Sequence, residues 1–189
     1  MLTPGIELFG KTLGVIGFGR IGSYVASIAN AFRMRVLGYD PFVDRERFIE
    51  VNAVRVESLD DLLRQSDFIT IHTSLTRESK GLIGRREVGL MRDGVFIVNT
   101  ARGGEVVDEN AILEGLRSGK IAGYATDVLT GEPPTEESSP LLRAFKRREV
   151  TNLFVTSHIA GGVTRESVKR YTLYVVRGGV RDALMLLRR

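Results

Sequence analysis

The sequence predicts a doubly wound α/β fold, a single domain with a parallel sheet and helices on both faces. Three observations carry this. Short apolar runs alternate with longer segments of helical period along all 189 residues, the pattern of parallel strands joined by crossover helices. The apolar runs are continuous rather than alternating with polar residues, as in strands covered on both sides. A glycine-rich string, GFGRIG (17–22), lies between the first strand segment and the first helical one.

The elements follow in order. TLGVIG (12–17) is the first strand, and GRIGSYVASIANAF (19–32) continues with helical spacing. RVLGYD (35–40) is the second strand. SLDDLLRQS (58–66) is a helix started by Ser58, with Asp61 three residues on as in a capping box. DFITIH (67–72) is a strand, RREVGLMRD (85–93) a short helix, and GVFIVNT (94–100) a strand. DENAILEGLRSGK (108–120) is a helix capped by Asp108 and stopped at Gly119. IAGYATD (121–127) is a strand, and SPLLRAFKR (139–147) opens with Ser then Pro, a good first turn. NLFVTS (152–157) is the last strand, and a long helix is predicted from about Thr164. TGEPPTEESSP (130–140) is the one long polar loop.

Hydrophobic residues make up 43% and charged residues 26%, as in a globular protein. No apolar run reaches the length of a membrane span. No leader of a secreted protein opens the chain and there is no cysteine, so a cytoplasmic protein without disulfides is expected. The net charge of +4 is mild and dispersed, and clusters such as Lys146–Arg147–Arg148 read as solvated surface rather than a nucleic-acid footprint. No metal-ligand spacing is present.

The glycine string has a physical reading in its context between strand and helix. Gly17 permits a tight turn, Gly19 lets the backbone approach a pyrophosphate, and Gly22 lets helix and strand pack closely. The helix N-terminus offers N–H groups and partial positive charge to phosphates. Asp40, ending the second strand, can bond ribose hydroxyls and repel a 2′-phosphate, which favours NAD over NADP; Arg45 and Arg47 nearby soften that preference. A glycine turn that merely packs tightly is the alternative.

In an open α/β sheet, ligands sit beyond the carboxyl ends of the strands. After GVFIVNT come Ala101, Arg102, Gly103 and Gly104. After IAGYAT come Asp127 and then Glu132, and after NLFVTS come His158, Gly161 and Gly162. Carbonyl reduction needs, besides hydride, a cation to hold the carbonyl compound, a proton donor, and a group that keeps the donor charged. Arg102, His158 and Glu132 are of those types. A core or N-cap histidine is the plainer reading of His158. His72 ends another strand with no carboxylate pattern beside it, and reads as structural or as part of a cofactor wall.

The strings ELFGKTLGVIGFGRIG, GYDP, DFITIHTSLTRESKGLIG, VNTARGGEVVDENAILEGLRSGKIAG, DVLTGEPP and SHIAGGVTRES, in this order, resemble the D-2-hydroxyacid dehydrogenases, most closely their phosphoglycerate dehydrogenase-like branch. The resemblance implies a Rossmann-type NAD-binding domain. It implies Arg102 as substrate-orienting arginine, Glu132 as the histidine's partner and His158 as proton donor. It further implies cofactor contacts at Gly17, Gly19, Arg20, Ile21, Gly22, Asp40, Thr73, Thr100, Ala101, Arg102 and Asp127, and at His158, Ile159, Ala160 and Gly161. The partner would be a small 2-hydroxy or 2-keto acid, and a homodimer is implied for the intact family member. Ser74 and Ser157 stand where the family has proline, which would loosen those loops. The family's substrate domain comes mostly from sequence ahead of this fold, so residues 1–189 are expected to be the cofactor domain alone, with weak turnover or none. A non-catalytic NAD(H)-responsive binding module is the alternative reading.

Overall fold

The computed structural model describes residues 5–159. The chain divides into two compact units, Met1–Thr156 and Ser157–Arg189. Of the second unit, residues 157–159 are described; the helix predicted from about Thr164 lies outside the described residues.

The described residues of the first unit form seven strands: β1 (Thr12–Ile16), β2 (Arg35–Tyr39), β3 (Val54–Arg55), β4 (Phe68–Ile71), β5 (Val95–Asn99), β6 (Ile121–Thr126) and β7 (Leu153–Val155). Between them lie helices α1 (Arg20–Ala31), α2 (Arg45–Glu50), α3 (Leu59–Gln65), α4 (Arg85–Leu90), α5 (Glu109–Ser118) and α6 (Pro140–Lys146). The strands form one sheet in the order β3-β2-β1-β4-β5-β6-β7, with every neighbouring pair parallel. The chain order reverses beside β1, which pairs with β2 on one side and β4 on the other. The carboxyl ends of those strands border the crevice where such sheets bind ligands.

Alternate residues of β1 show how the two faces are covered. Leu13 and Val15 join a cluster with Phe18, Ala26, Ala29, Val36 and Phe48, on the face where α1 packs. Ile16 joins the larger cluster on the other face, with Leu62, Ile69, Ile97, Ile112, Leu116 and Leu141. A strand turned by its two-residue period therefore buries both sets of side chains.

The helix termini follow the sequence cues. Ser58 accepts from the Asp61 N–H at 3.1 Å. Asp108 accepts from the Asn110 and Ala111 N–H groups. Ser139 accepts from Leu142 N–H at 3.0 Å, with Pro140 in the first turn. Gly119 ends α5 in the left-handed region at φ 78°. The box at Ser58 is half made: the Asp61 carboxylate takes the Ser58 hydroxyl at 2.7 Å, where a longer Glu would reach the backbone N–H. Helix α2 and strand β3, of six and two residues, are additions to the sequence reading. The last strand is shorter than the predicted 152–157.

At Gly38 the sheet meets two stacked rings. Phe18 and Phe48 lie with centroids 4.0 Å apart and planes 13° from parallel. A Cβ at Gly38 would stand 2.4 Å from Phe18 and 2.7 Å from Phe48. Gly38→Ala is expected to destabilise the fold by about 1–3 kcal/mol through overpacking. Urea unfolding checks this, and unchanged stability would contradict the packing account.

Candidate active site

The turn after β1 is built by close approach. Gly17 has φ 88°, and a Cβ there would meet the Thr73 nitrogen at 2.7 Å and the His72 carbonyl carbon at 2.8 Å. A Cβ at Gly22 would lie 2.0 Å from the Gly17 oxygen. Only residues without side chains allow this. Gly19 differs: apart from its chain neighbours, no atom lies within 4 Å of a Cβ built there, so the space above it is open. It is the N-cap of α1, which has no side-chain cap and no acidic residue in its first turn. The positive end of that helix therefore faces the open space, with Arg20 and Ile21 as its first residues. Thr73 Oγ1 is buried without a hydrogen-bond partner.

Asp40 follows β2, and both its carboxylate oxygens are engaged. One accepts the Phe18 N–H at 2.8 Å and the other the Phe42 N–H at 2.9 Å. The carboxylate is thereby tied to the glycine turn, through the residue whose ring stacks on Phe48. A cavity of about 330 Å³ opens here, lined by Gly17, Gly19, Asp40, Phe42, His72 and Thr73 among others. An open backbone over Gly19, an uncapped helix end, an orphaned hydroxyl and an anchored carboxylate around one cavity are groups that could hold a dinucleotide, the helix end suiting an anion and the carboxylate a hydroxyl. The adjoining turn is tied by Ser79, whose hydroxyl donates to Ser74 O at 2.7 Å and accepts from Thr76 N–H at 2.8 Å.

At the ends of β5 and β6 the sheet's polar network appears, and the sequence reading did not find it. Asn99 is fully buried. Its Oδ1 accepts the Ala101 N–H at 3.0 Å, and its amide donates to Arg102 O at 2.8 Å, closing a turn of the Asx type. Tyr124 Oη lies 3.3 Å from that amide, and burial pushes the phenol up to about 12. Thr126 Oγ1 lies 2.6 Å from Val128 O, and the Asp127 N–H donates to Asn99 O at 3.0 Å. Thr156, after β7, donates its hydroxyl to buried Asp127. Thr100 is exposed beside buried Ala101. Arg102 is exposed, with Nη1 2.8 Å from Ala101 O.

The loops that carry Arg102 and Glu132 are packed together. A Cβ at Gly103 would lie 2.2 Å from Leu129 O, and one at Gly104 1.8 Å from Thr130 Oγ1. Glu132 is exposed on its loop, two residues past Thr130. His158 and Ile159 belong to the second unit, where His158 has a left-handed backbone at φ 56°. Ala160 and Gly161 lie outside the described residues.

His72 forms part of the cavity wall, with Nε2 2.8 Å from Thr70 Oγ1. Burial pushes its pKa down from 6.5 to about 4. The unfolded chain therefore takes up a proton near pH 6.5 that the folded chain refuses until about pH 4. Stability is expected to fall by about 1–2 kcal/mol as pH drops across that window, the ring being partly solvated. Urea unfolding at pH 7 and pH 4.5 should show His72→Gln losing less than the wild type; equal losses would contradict it.

A family model described as "D-isomer specific 2-hydroxyacid dehydrogenase, NAD binding domain" matches residues 2–160. The D-3-phosphoglycerate dehydrogenase of Archaeoglobus fulgidus is 47% identical over 163 residues, covering 86% of this chain and 29% of that protein. The hydroxypyruvate reductase of Thermotoga maritima is 43% identical over 172 residues, covering 91% of this chain and 53% of that protein. The solved D-lactate dehydrogenase of Aquifex aeolicus, complexed with NAD and lactic acid, superposes with a TM-score of 0.75 at 37% identity, covering 96% of this chain and 57% of that one. The chain thus spans between under a third and about half of the curated relatives it matches. Among the described residues no helix is long and apolar enough to cross a membrane. The glycine turn, the reversal of strand order beside it and the match along residues 2–160 agree: the chain belongs to the D-isomer specific 2-hydroxyacid dehydrogenase family and carries its NAD-binding domain.

Proposed function

We propose that this domain serves an oxidoreductase that exchanges a hydride between NAD(H) and a small D-2-hydroxy or 2-keto acid, with 3-phosphoglycerate among the candidate substrates. The observation that supports it most is the packing of the Arg102 loop against the Glu132 loop, on the sheet edge that also carries the glycine turn. Gly17 to Gly22, Asp40, Thr73, residues 100–102 and Asp127 would hold the cofactor, and His158 through Gly161 are proposed as further cofactor-binding positions. The bound nicotinamide supplies or accepts the hydride.

The remaining work falls to side chains. The Arg102 guanidinium, presented by the Asn99 turn, orients the acid and polarises its carbonyl oxygen by charge-assisted hydrogen bonds. His158 gives a proton to that oxygen in reduction and takes it back in oxidation. Glu132 is proposed as the histidine's partner, the group whose negative charge would favour the protonated ring. A 2′-phosphate would meet the anchored Asp40 carboxylate, so the reading favours NAD over NADP.

Two experiments test this. Calorimetry on the chain should show NADH binding at least about tenfold more tightly than NADPH, from like-charge repulsion at partly desolvated range. Asp40→Ala should narrow the gap, and equal affinities in the wild type would sink the assignment. With a relative's substrate domain joined on, His158→Asn should abolish most 2-keto acid reduction, by about 10²-fold or more, while NADH affinity holds. Glu132→Gln should lower kcat with little change in the KM for NADH. Full turnover in His158→Asn would leave NAD(H) binding as the function.

A further inference from the structure

Glu109 opens α5 and is 5% exposed. A carboxylate buried to that degree is costly unless its oxygens are satisfied. Here they are, and every partner is distant in sequence. Oε1 accepts the Thr130 N–H at 2.6 Å. Oε2 accepts the Ser139 hydroxyl at 2.6 Å and faces the Leu141 N–H at 3.4 Å. The side chain is not needed to cap its own helix, because Asp108 already accepts from the first-turn N–H groups. Its charge sits in the first turn of a ten-residue helix, where the dipole favours an anion.

The residues it grips are the two ends of one loop. Thr130 is where the chain leaves the contact with Gly104, and Ser139 is where it enters α6. Within the loop, Ser138 Oγ lies 3.0 Å from Thr130 O, and the Ser139 N–H donates to Thr135 O at 2.9 Å. Glu132 stands inside this closure. We infer that Glu109 is a positioning residue: its buried carboxylate clasps both ends of the 130–139 loop and so presents Glu132 at the sheet edge. This rests on the reading of Glu132 as the histidine's partner.

The clasp can be read on the 189-residue chain by amide exchange and ¹⁵N relaxation, with NADH affinity measured in parallel. Glu109→Ala is expected to raise amide exchange at the non-proline residues of 130–138 about tenfold or more and to lower the Glu132 order parameter from about 0.85 to below about 0.6. NADH affinity should stay within about twofold, since the cavity at Asp40 is untouched. Glu109→Gln keeps the shape: its oxygen can take the Thr130 N–H and its amide can donate to Ser139 Oγ, so loop order should largely return. Unchanged exchange and order in Glu109→Ala would overturn the inference. So would a Gln variant as loose as the Ala one, because the hydrogen bonds would then not be the cause. Should the alanine variant fail to fold, Glu109→Gln paired with Ser139→Ala tests the same bonds, with an ordered loop as the overturning result. These readouts do not depend on turnover, so a Glu132→Gln enzyme of full activity would remove the catalytic reading separately.

Discussion

A parallel sheet releases all its strands on one edge, and there the ladder of backbone hydrogen bonds stops. Every N–H and C=O beyond the last paired residue needs another partner if it is to be buried. In this domain short polar side chains at the strand ends meet that requirement. Asp40 takes the Phe18 and Phe42 N–H groups, Asn99 takes Ala101 and gives to Arg102, and Thr126 takes the Val128 N–H. The positions of the loops, and hence of the groups that meet a ligand, depend on these few bonds.

The same edge separates groups that hold from groups that remain available. Close backbone approaches at Gly17, Gly22 and Gly103 consume the space a side chain would fill. Gly19 and Thr73 do the opposite: one leaves open volume over a helix end, the other a buried hydroxyl with no partner. The apolar cores fix both kinds. Phe18 is buried in the glycine turn itself, so stacking on Phe48 restrains the N–H that orients Asp40. Packing in the interior is thereby converted into the direction of a carboxylate.

Much of this was legible in the residue order. The strict strand–helix alternation, the glycine string and the caps at Ser58, Asp108 and Ser139 each have a local cause, and local causes can be read along the chain. Strand β3 escaped because two residues carry no period, and α2 because its apolar residues, Phe48 and Ile49, are adjacent and show no helical spacing. Asn99 is hidden in the residue order because it ends the apolar run GVFIVNT, which reads as strand throughout. Asparagine is depleted in strands, and an Asn at a strand end before an exposed arginine is the signal that could have found it. Glu109 escaped for another reason: an acid in a helix's first turn is ordinary, and its partners are 21 to 32 residues away. Only the fold brings them to it.

The proposed function has NAD(H) lying over the glycine turn and along the strand ends from β2 to β6. Titration of the isotopically labelled chain with NADH, followed residue by residue by NMR, tests it most directly. The account predicts the largest shifts at Gly17 to Gly22, at Asp40 and Thr73, and at Thr100 to Arg102, with little change at the opposite edge of the sheet around Lys11 and Lys120. Shifts concentrated on that opposite edge, or none at saturating NADH, would contradict it.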